Sequence, residues 1–194
     1  MNFFIAAFLI FFIILTKLRF EWAVIFLIAA LPSYLARFNI FGLPSTLLEV
    51  MILIIFIAWL LKNYREIRAS LRRRLSGEKK GARYPFDWEA GALLTISFLA
   101  IFVGGFTDKA LGIWKAYFFE PLLFYIIIIN IFHKTGTIKK LLGPLSVSAL
   151  FISILAIYQK ITGQLIFNPF WAAEETRRVV SFFGYPNAVG LYLG

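Results

Sequence analysis

Cysteine is absent from the 194 residues. That excludes a disulfide framework, a thiolate metal site and a cysteine nucleophile. Histidine occurs once, at His133, with no carboxylate or thiolate near it in sequence, so it cannot build a zinc site. There is no G-x-S-x-G elbow, no phosphate-cradling glycine loop and no His-rich metal motif. No internal repeat is present, and no cofactor or metal is expected. Acidic residues number 10 against 20 basic ones, a net charge of +10. The close pair Asp87 and Glu89 falls at a helix start, where negative charge suits the helix dipole. No aromatic platform or DNA-reading motif accompanies the basic residues, so nucleic acid is not an expected partner.

What the chain has instead is apolar bulk. Hydrophobic residues make up 61% and the mean hydropathy is +0.83, against roughly 45–50% apolar in soluble domains. Phe, Ile and Leu come in blocks longer than buried core helices, as in a membrane protein. The first block has no basic residue ahead of it, and Lys17 and Arg19 follow it. No small-residue cleavage site comes next, so it reads as a retained span, not a signal peptide.

The blocks fall at 2–15, 22–38, 46–61, 88–104, 113–132 and 141–158, with another opening at 186. The predicted fold class is all-α: a polytopic transmembrane helical bundle of six spans plus the start of a seventh, in one domain over 1–194. Block one reaches only about 21 Å at 1.5 Å per residue, against a hydrocarbon core of about 30 Å. It is therefore expected to pair with block two as a tight helical hairpin, with Pro32 kinking the second helix.

Charge sets the orientation. The segment 62–87 holds nine basic residues: Lys62, Arg65, Arg68, Arg72, Arg73, Arg74, Lys79, Lys80 and Arg83. The positive-inside rule makes it cytoplasmic. Alternation then adds Lys17, Arg19, Lys134, Lys139 and Lys140 to the same side. Arg37, Lys109, Lys115, Lys160, Arg177 and Arg178 fall outside, the last three in or beside the long external loop 159–185 or its neighbouring span. In that loop Phe167, Phe170 and Trp171 read as interfacial aromatics.

Several residues carry chemistry. Tyr64, Ile67, Leu71 and Leu75 recur at helical spacing with arginines between them. They form a basic amphipathic helix that is either a topology determinant or an anchor on anionic lipid headgroups. Glu120 lies inside the fifth block beside Pro121 and is either a polar lock or an intramembrane site. Lys115, five residues earlier, would point about 140° away on an ideal helix, so the two are not expected to pair. Glu49 reads as the back-bonding acid of a capping box begun by Ser45 or Thr46. Arg177 and Arg178 stand where the topology rule disfavours them. They suit a diphosphate headgroup, or they pair locally with Glu174 and Glu175. Pro186 opens a helix, and Asn187 there is placed to cap it or to touch a ligand.

"RVVSFFGYPNAVGLYL" resembles a motif of the O-antigen ligase and polymerase family of bacterial membrane glycosyltransferases, roughly R-x-x-G-x-F-x-N-P-N leading into a span. Arg178 matches the Arg, Phe183 the aromatic, and Pro186 and Asn187 the closing pair. Ser181 stands where the family has Gly, and Tyr185 where it has the first Asn. "LPSYLARFNIFGLPSTLLEVMIL" (31–53) and "LGIWKAYFFEPLLFY" (111–125) are also similar to family segments.

The resemblance implies a glycan donor on undecaprenyl diphosphate, with transfer at the outer face of the bacterial cytoplasmic membrane. The acceptor is a second lipid-linked glycan in polymerases, and lipid A-core or another envelope molecule in ligases. Neither nucleotide sugar nor metal takes part. Arg178, with Arg177 and Asn187, would hold the diphosphate. The family has about a dozen spans and a large second external loop with further catalytic Arg and His. The chain is therefore expected to be an N-terminal half, inactive without the residues beyond 194. The rival expectation is a transporter or lipid flippase with a mid-membrane site at Glu120. A third is a non-catalytic membrane protein.

Overall fold

The computed structural model describes residues 3–40, 43–76, 86–132 and 137–194. Helix dominates, so the all-α class holds. Helices α1 (Phe3–Leu18) and α2 (Phe20–Ala29) are separated by Arg19 alone, which leaves the helical region at φ −142°. The chain folds back there. Phe26 packs on Phe8 and Phe12 with ring centroids 6.0 and 6.1 Å apart, which forms the expected hairpin.

The second block is not one kinked helix. Helix α2 stops at Ala29, and Leu31–Leu35 forms a 3-10 turn with Pro32 in its first positions. Proline lacks the N–H and its ring clashes with the carbonyl four residues back, so here it ends the helix instead of bending it. The chain then makes a small antiparallel ribbon, β1 (Arg37–Ile40) with β2 (Leu43–Thr46), pairing Arg37 with Thr46 and Ile40 with Leu43. This ribbon is the one β feature among the described residues.

Helix α3 (Leu47–Leu75) runs 29 residues. As far as Leu75 the basic stretch is thus not a separate helix but the continuation of the third block as one rod, about 44 Å long. Its start carries the expected capping box: Glu49 N donates to Thr46 Oγ1 at 3.2 Å and Thr46 N to Glu49 Oε2 at 3.3 Å. After α4 (Asp87–Val103), the fifth block is a composite rod. Helix α5 (Asp108–Trp114) passes through a π turn (Lys115–Phe119) into α6 (Glu120–Phe132). Pro121 explains the wide turn, because a π register relieves the clash that its ring would make with an α-helical turn. Helix α7 (Leu142–Thr162) follows a 3-10 turn (Thr137–Leu141). The short α8 (Pro169–Ala172) and α9 (Pro186–Leu193) close the described chain.

Three stretches are long and apolar enough to cross a membrane: Leu47–Ala69, Asp108–Phe132 and Lys139–Thr162. Most of their side chains point outward, with Ile57, Leu61, Phe151, Ile154 and Ile157 all exposed. Apolar surface of that extent belongs against lipid, and the chain is a membrane protein. Helices Phe3–Leu18, Phe20–Ala29 and Trp88–Val103 are apolar but shorter. Length alone therefore supports three spans, not six.

The inner packing has two centres. One joins α1, α2, α3 and α6 around Phe12, Leu27, Met51, Ile55 and Ile127. The other joins α7, α9 and the segment before it around Ile152, Ala156, Phe183, Ala188 and Val189, with Tyr34 and Leu35 packed against them.

Candidate functional site

The segment between α7 and α9 has little regular structure, yet it is held at three points. The first is Arg177. Its Nη1 donates to the carbonyls of Lys160 (3.0 Å) and Ile161 (3.2 Å), and its Nε to that of Ala172 (3.3 Å). The last carbonyls of a helix lack intrahelical donors and carry its negative pole, so a guanidinium there satisfies both needs. Gly163 makes room for it. That residue ends α7 at φ +70°, and a Cβ on it would lie 2.8 Å from Arg177 Nη2. Lys160 Nζ returns a bond to the Arg177 carbonyl at 3.3 Å.

The second point is Gln159, whose side chain is fully buried. Its Oε1 accepts from Val180 N (3.0 Å) and Ser181 N (2.7 Å). Its Nε2 donates to the carbonyls of Leu165 and Ser181, each at 3.1 Å. All four hydrogen-bonding positions of the amide are used. Ser181 itself has φ +46°, a left-handed conformation that glycine adopts without strain. Its Oγ donates to Ile152 O at 3.0 Å. The third point is Phe183, buried between Tyr34 and Tyr192 with centroids 6.1 and 5.6 Å away.

These anchors place Arg178 at the surface. Its backbone N–H bonds Trp171 O at 3.0 Å, and its Nη2 donates to Asn187 Oδ1 at 3.2 Å. Glu174 and Glu175 lie in a turn, not a helix, so the i, i+4 spacing does not bring Glu174 onto Arg178. Among the described residues no carboxylate pairs with Arg178. Tyr185 precedes α9 and gives it no side-chain cap, and Pro186 at the first position has no N–H to leave unpaired.

A groove of about 490 Å³ opens here, lined by Lys160, Arg177 and Arg178 with Ala156, Ile157, Val179, Pro186 and Val189. Three cations thus meet one apolar wall, a combination that fits an anionic head on a hydrocarbon tail. Of the residues singled out from sequence, Arg177, Arg178 and Asn187 gather at this place. Arg177 is largely occupied by backbone carbonyls, which leaves Arg178 and Lys160 as the freer charges. Sequence reasoning missed Gln159 and Lys160. Their only signal was polarity at the end of an apolar block.

Glu120 and Lys115 belong elsewhere. Lys115 forms an ion pair with Glu49 of α3. The 140° separation expected for Lys115 and Glu120 does not apply, because Glu120 N bonds Lys115 O across the π turn and five residues make about one turn there. They still do not bond each other. Glu120 is 8% exposed, and its Oε1 has no partner among the described residues. His133 lies outside the described residues, as does the part of the basic segment over 77–85. No cluster of metal-ligating side chains occurs among the described residues.

Fold and groove together define a helical membrane protein with a cationic recess where α7 meets α9. Comparison with known proteins adds no relative: no family model, no curated protein and no solved structure matches the chain.

Proposed function

We propose that the groove between α7 and α9 holds the diphosphate of a polyprenyl-linked glycan, and that the chain acts in glycan ligation or polymerisation at the membrane. The observation that carries this reading is the Arg178–Asn187 hydrogen bond at 3.2 Å, beside Lys160 and an apolar wall. Those two residues are the first and last of the motif that resembles the O-antigen ligase family. Guanidinium and ammonium groups bind phosphate oxygens through charge-assisted bonds, and the positive pole of a helix start favours the same charge.

The proposed setting is the bacterial cytoplasmic membrane, with this groove on the outer side and the basic end of α3 inside. In that arrangement α1, α4, and α2 with its 3-10 turn cross as short elements of about 24–26 Å, aided by local thinning. A polyprenyl diphosphate titration into the purified chain in nanodiscs tests the site. Arg178→Ala should weaken binding at least tenfold, and binding that does not change would remove the assignment. In cells the same substitution should abolish glycan transfer while membrane levels stay normal.

A second reading rests on Glu120, a buried acid with one oxygen unpartnered among the described residues beside a broken helix, as in transporters with mid-membrane sites. Ion-dependent uptake lost in Glu120→Gln would favour it.

A further inference from the structure

Along the middle of α3, two turns and more beyond its capping box, a second groove of about 590 Å³ runs between α1 and α3. Ile13, Ile54, Ile57, Ala58 and Leu61 form its apolar length, and Lys17 and Lys62 stand at one end with Phe20. Lys62 Nζ lies 5.8 Å from the centre of the Phe20 ring, a cation–π contact between α3 and the start of α2. Both lysines are exposed, and among the described residues neither meets a carboxylate.

The charge continues along the rod. At 100° per residue, Ile54, Ile57, Leu61, Arg65, Arg68 and Arg72 all fall within about 40° of one line along α3. The same line is therefore apolar through Leu61 and basic beyond it, and Arg65, Arg68 and Arg72 are exposed. Glu66, the acid in this stretch, lies about 140° round the helix. A hydrocarbon furrow that ends at two ammonium groups and runs on into a guanidinium ladder matches one kind of molecule: a chain-bearing anion at the membrane boundary.

We propose that this groove is a specific site for an anionic glycerophospholipid. One acyl chain lies along Ile54, Ile57 and Leu61, and the phosphate sits between Lys17 and Lys62. The site is separate from the α7–α9 groove and does not depend on what that groove binds. It also differs from general attraction of a basic helix to a charged surface, because it needs the apolar furrow as well as the charge.

The test is native mass spectrometry and thermal unfolding of the purified chain with phosphatidylglycerol or phosphatidylcholine. Phosphatidylglycerol should be retained and should raise the melting temperature, and phosphatidylcholine should do neither. In Lys17→Gln/Lys62→Gln the affinity for phosphatidylglycerol should fall by about 30-fold, from the usual contribution of two basic residues at a membrane surface. Ala58→Trp fills the furrow and leaves every charge in place. It should lower retention at least fivefold while the lipid-free melting temperature stays near wild type, and Ala58→Leu gives a milder block if the tryptophan variant unfolds. Lys109→Gln/Lys139→Gln serves as the charge control and should retain lipid as the parent does. Equal retention of both lipids, or full retention in the double lysine variant, overturns the proposal. Loss in the lysine variant with none in either Ala58 variant reduces the feature to surface attraction and overturns it too.

Discussion

Gln159 and Ser181, 22 residues apart, meet edge to edge. The Gln159 amide accepts from the Ser181 N–H at 2.7 Å and donates to the Ser181 carbonyl at 3.1 Å. A side-chain amide here takes the part of a neighbouring strand. It lets an irregular segment keep buried backbone groups satisfied, and it fixes the position from which Arg178 reaches Asn187.

Gln159→Leu should therefore destabilise the protein by about 3 kcal/mol, since each buried group left without a partner costs roughly 1–3 kcal/mol and some regain water. Gln159→Glu keeps the two acceptor bonds but turns an oxygen toward two carbonyls, and should be worse. Thermal unfolding, with limited proteolysis of 163–185, reads both. A wild-type melting curve for either variant would contradict the pairing.

Gly163 answers to two constraints at once. Its φ of +70° disfavours any Cβ, and that Cβ would crowd Arg177 Nη2 at 2.8 Å. Gly163→Ala should cost about 1–2 kcal/mol. Gly163→Asn relieves part of the backbone strain but keeps the crowding, so it should recover only part of the loss in a denaturation series.

Arg177 and Arg178 are neighbours with opposite duties. Arg177→Ala strips three backbone carbonyls of their donor and should lower stability by about 2 kcal/mol. Arg178→Ala removes an exposed side chain with one side-chain bond and should change stability by less than about 0.5 kcal/mol. Its effect should fall on polyprenyl diphosphate binding instead. Measuring melting and binding for both variants checks the division. If both lose stability equally, the division fails.

Lys115 and Glu49 tie the fifth block to the third. Glu49 is buried, so Lys115→Met leaves a carboxylate without its counter-charge and should cost about 2 kcal/mol, less than a fully buried pair because Lys115 is part exposed. Glu49→Gln with Lys115→Met should be less damaging than the sum of the two single changes. A double-mutant cycle gives that coupling directly, and simple additivity would mean that the pair contributes nothing.

The sequence exposed what is local. The capping box at Thr46 and Glu49 and the helix opening at Pro186 need only three or four residues to declare themselves, and both are present. The α1–α2 hairpin followed from the shortness of the first block. What failed was the assumption that an apolar block is one helix. Residues 22–38 contain a helix, a 3-10 turn and the start of a strand, because Pro32 removes a donor that hydropathy does not register. Within the candidate site, Arg178 and Asn187 were singled out by the motif their segment resembles, and the structure joins them. Gln159 was not, because its partners lie 6 to 22 residues ahead in a segment with no periodicity. Arg177 looked like a twin of Arg178 until α7 ended beneath it.

The wide turn at Lys115–Phe119 carries one last implication, which concerns insertions and deletions. A π turn already holds one residue more than the α-helical count, so deleting one residue between 116 and 119 would leave the rotation of Asp108–Trp114 against α6 nearly unchanged, whereas a further residue inserted there would rotate that part by about 100°. The insertion would sweep the ammonium that now faces Glu49 away from α3 toward lipid. Substitutions along the outer, lipid-facing side of this rod should be widely tolerated. An added residue between Trp114 and Pro121 should not be.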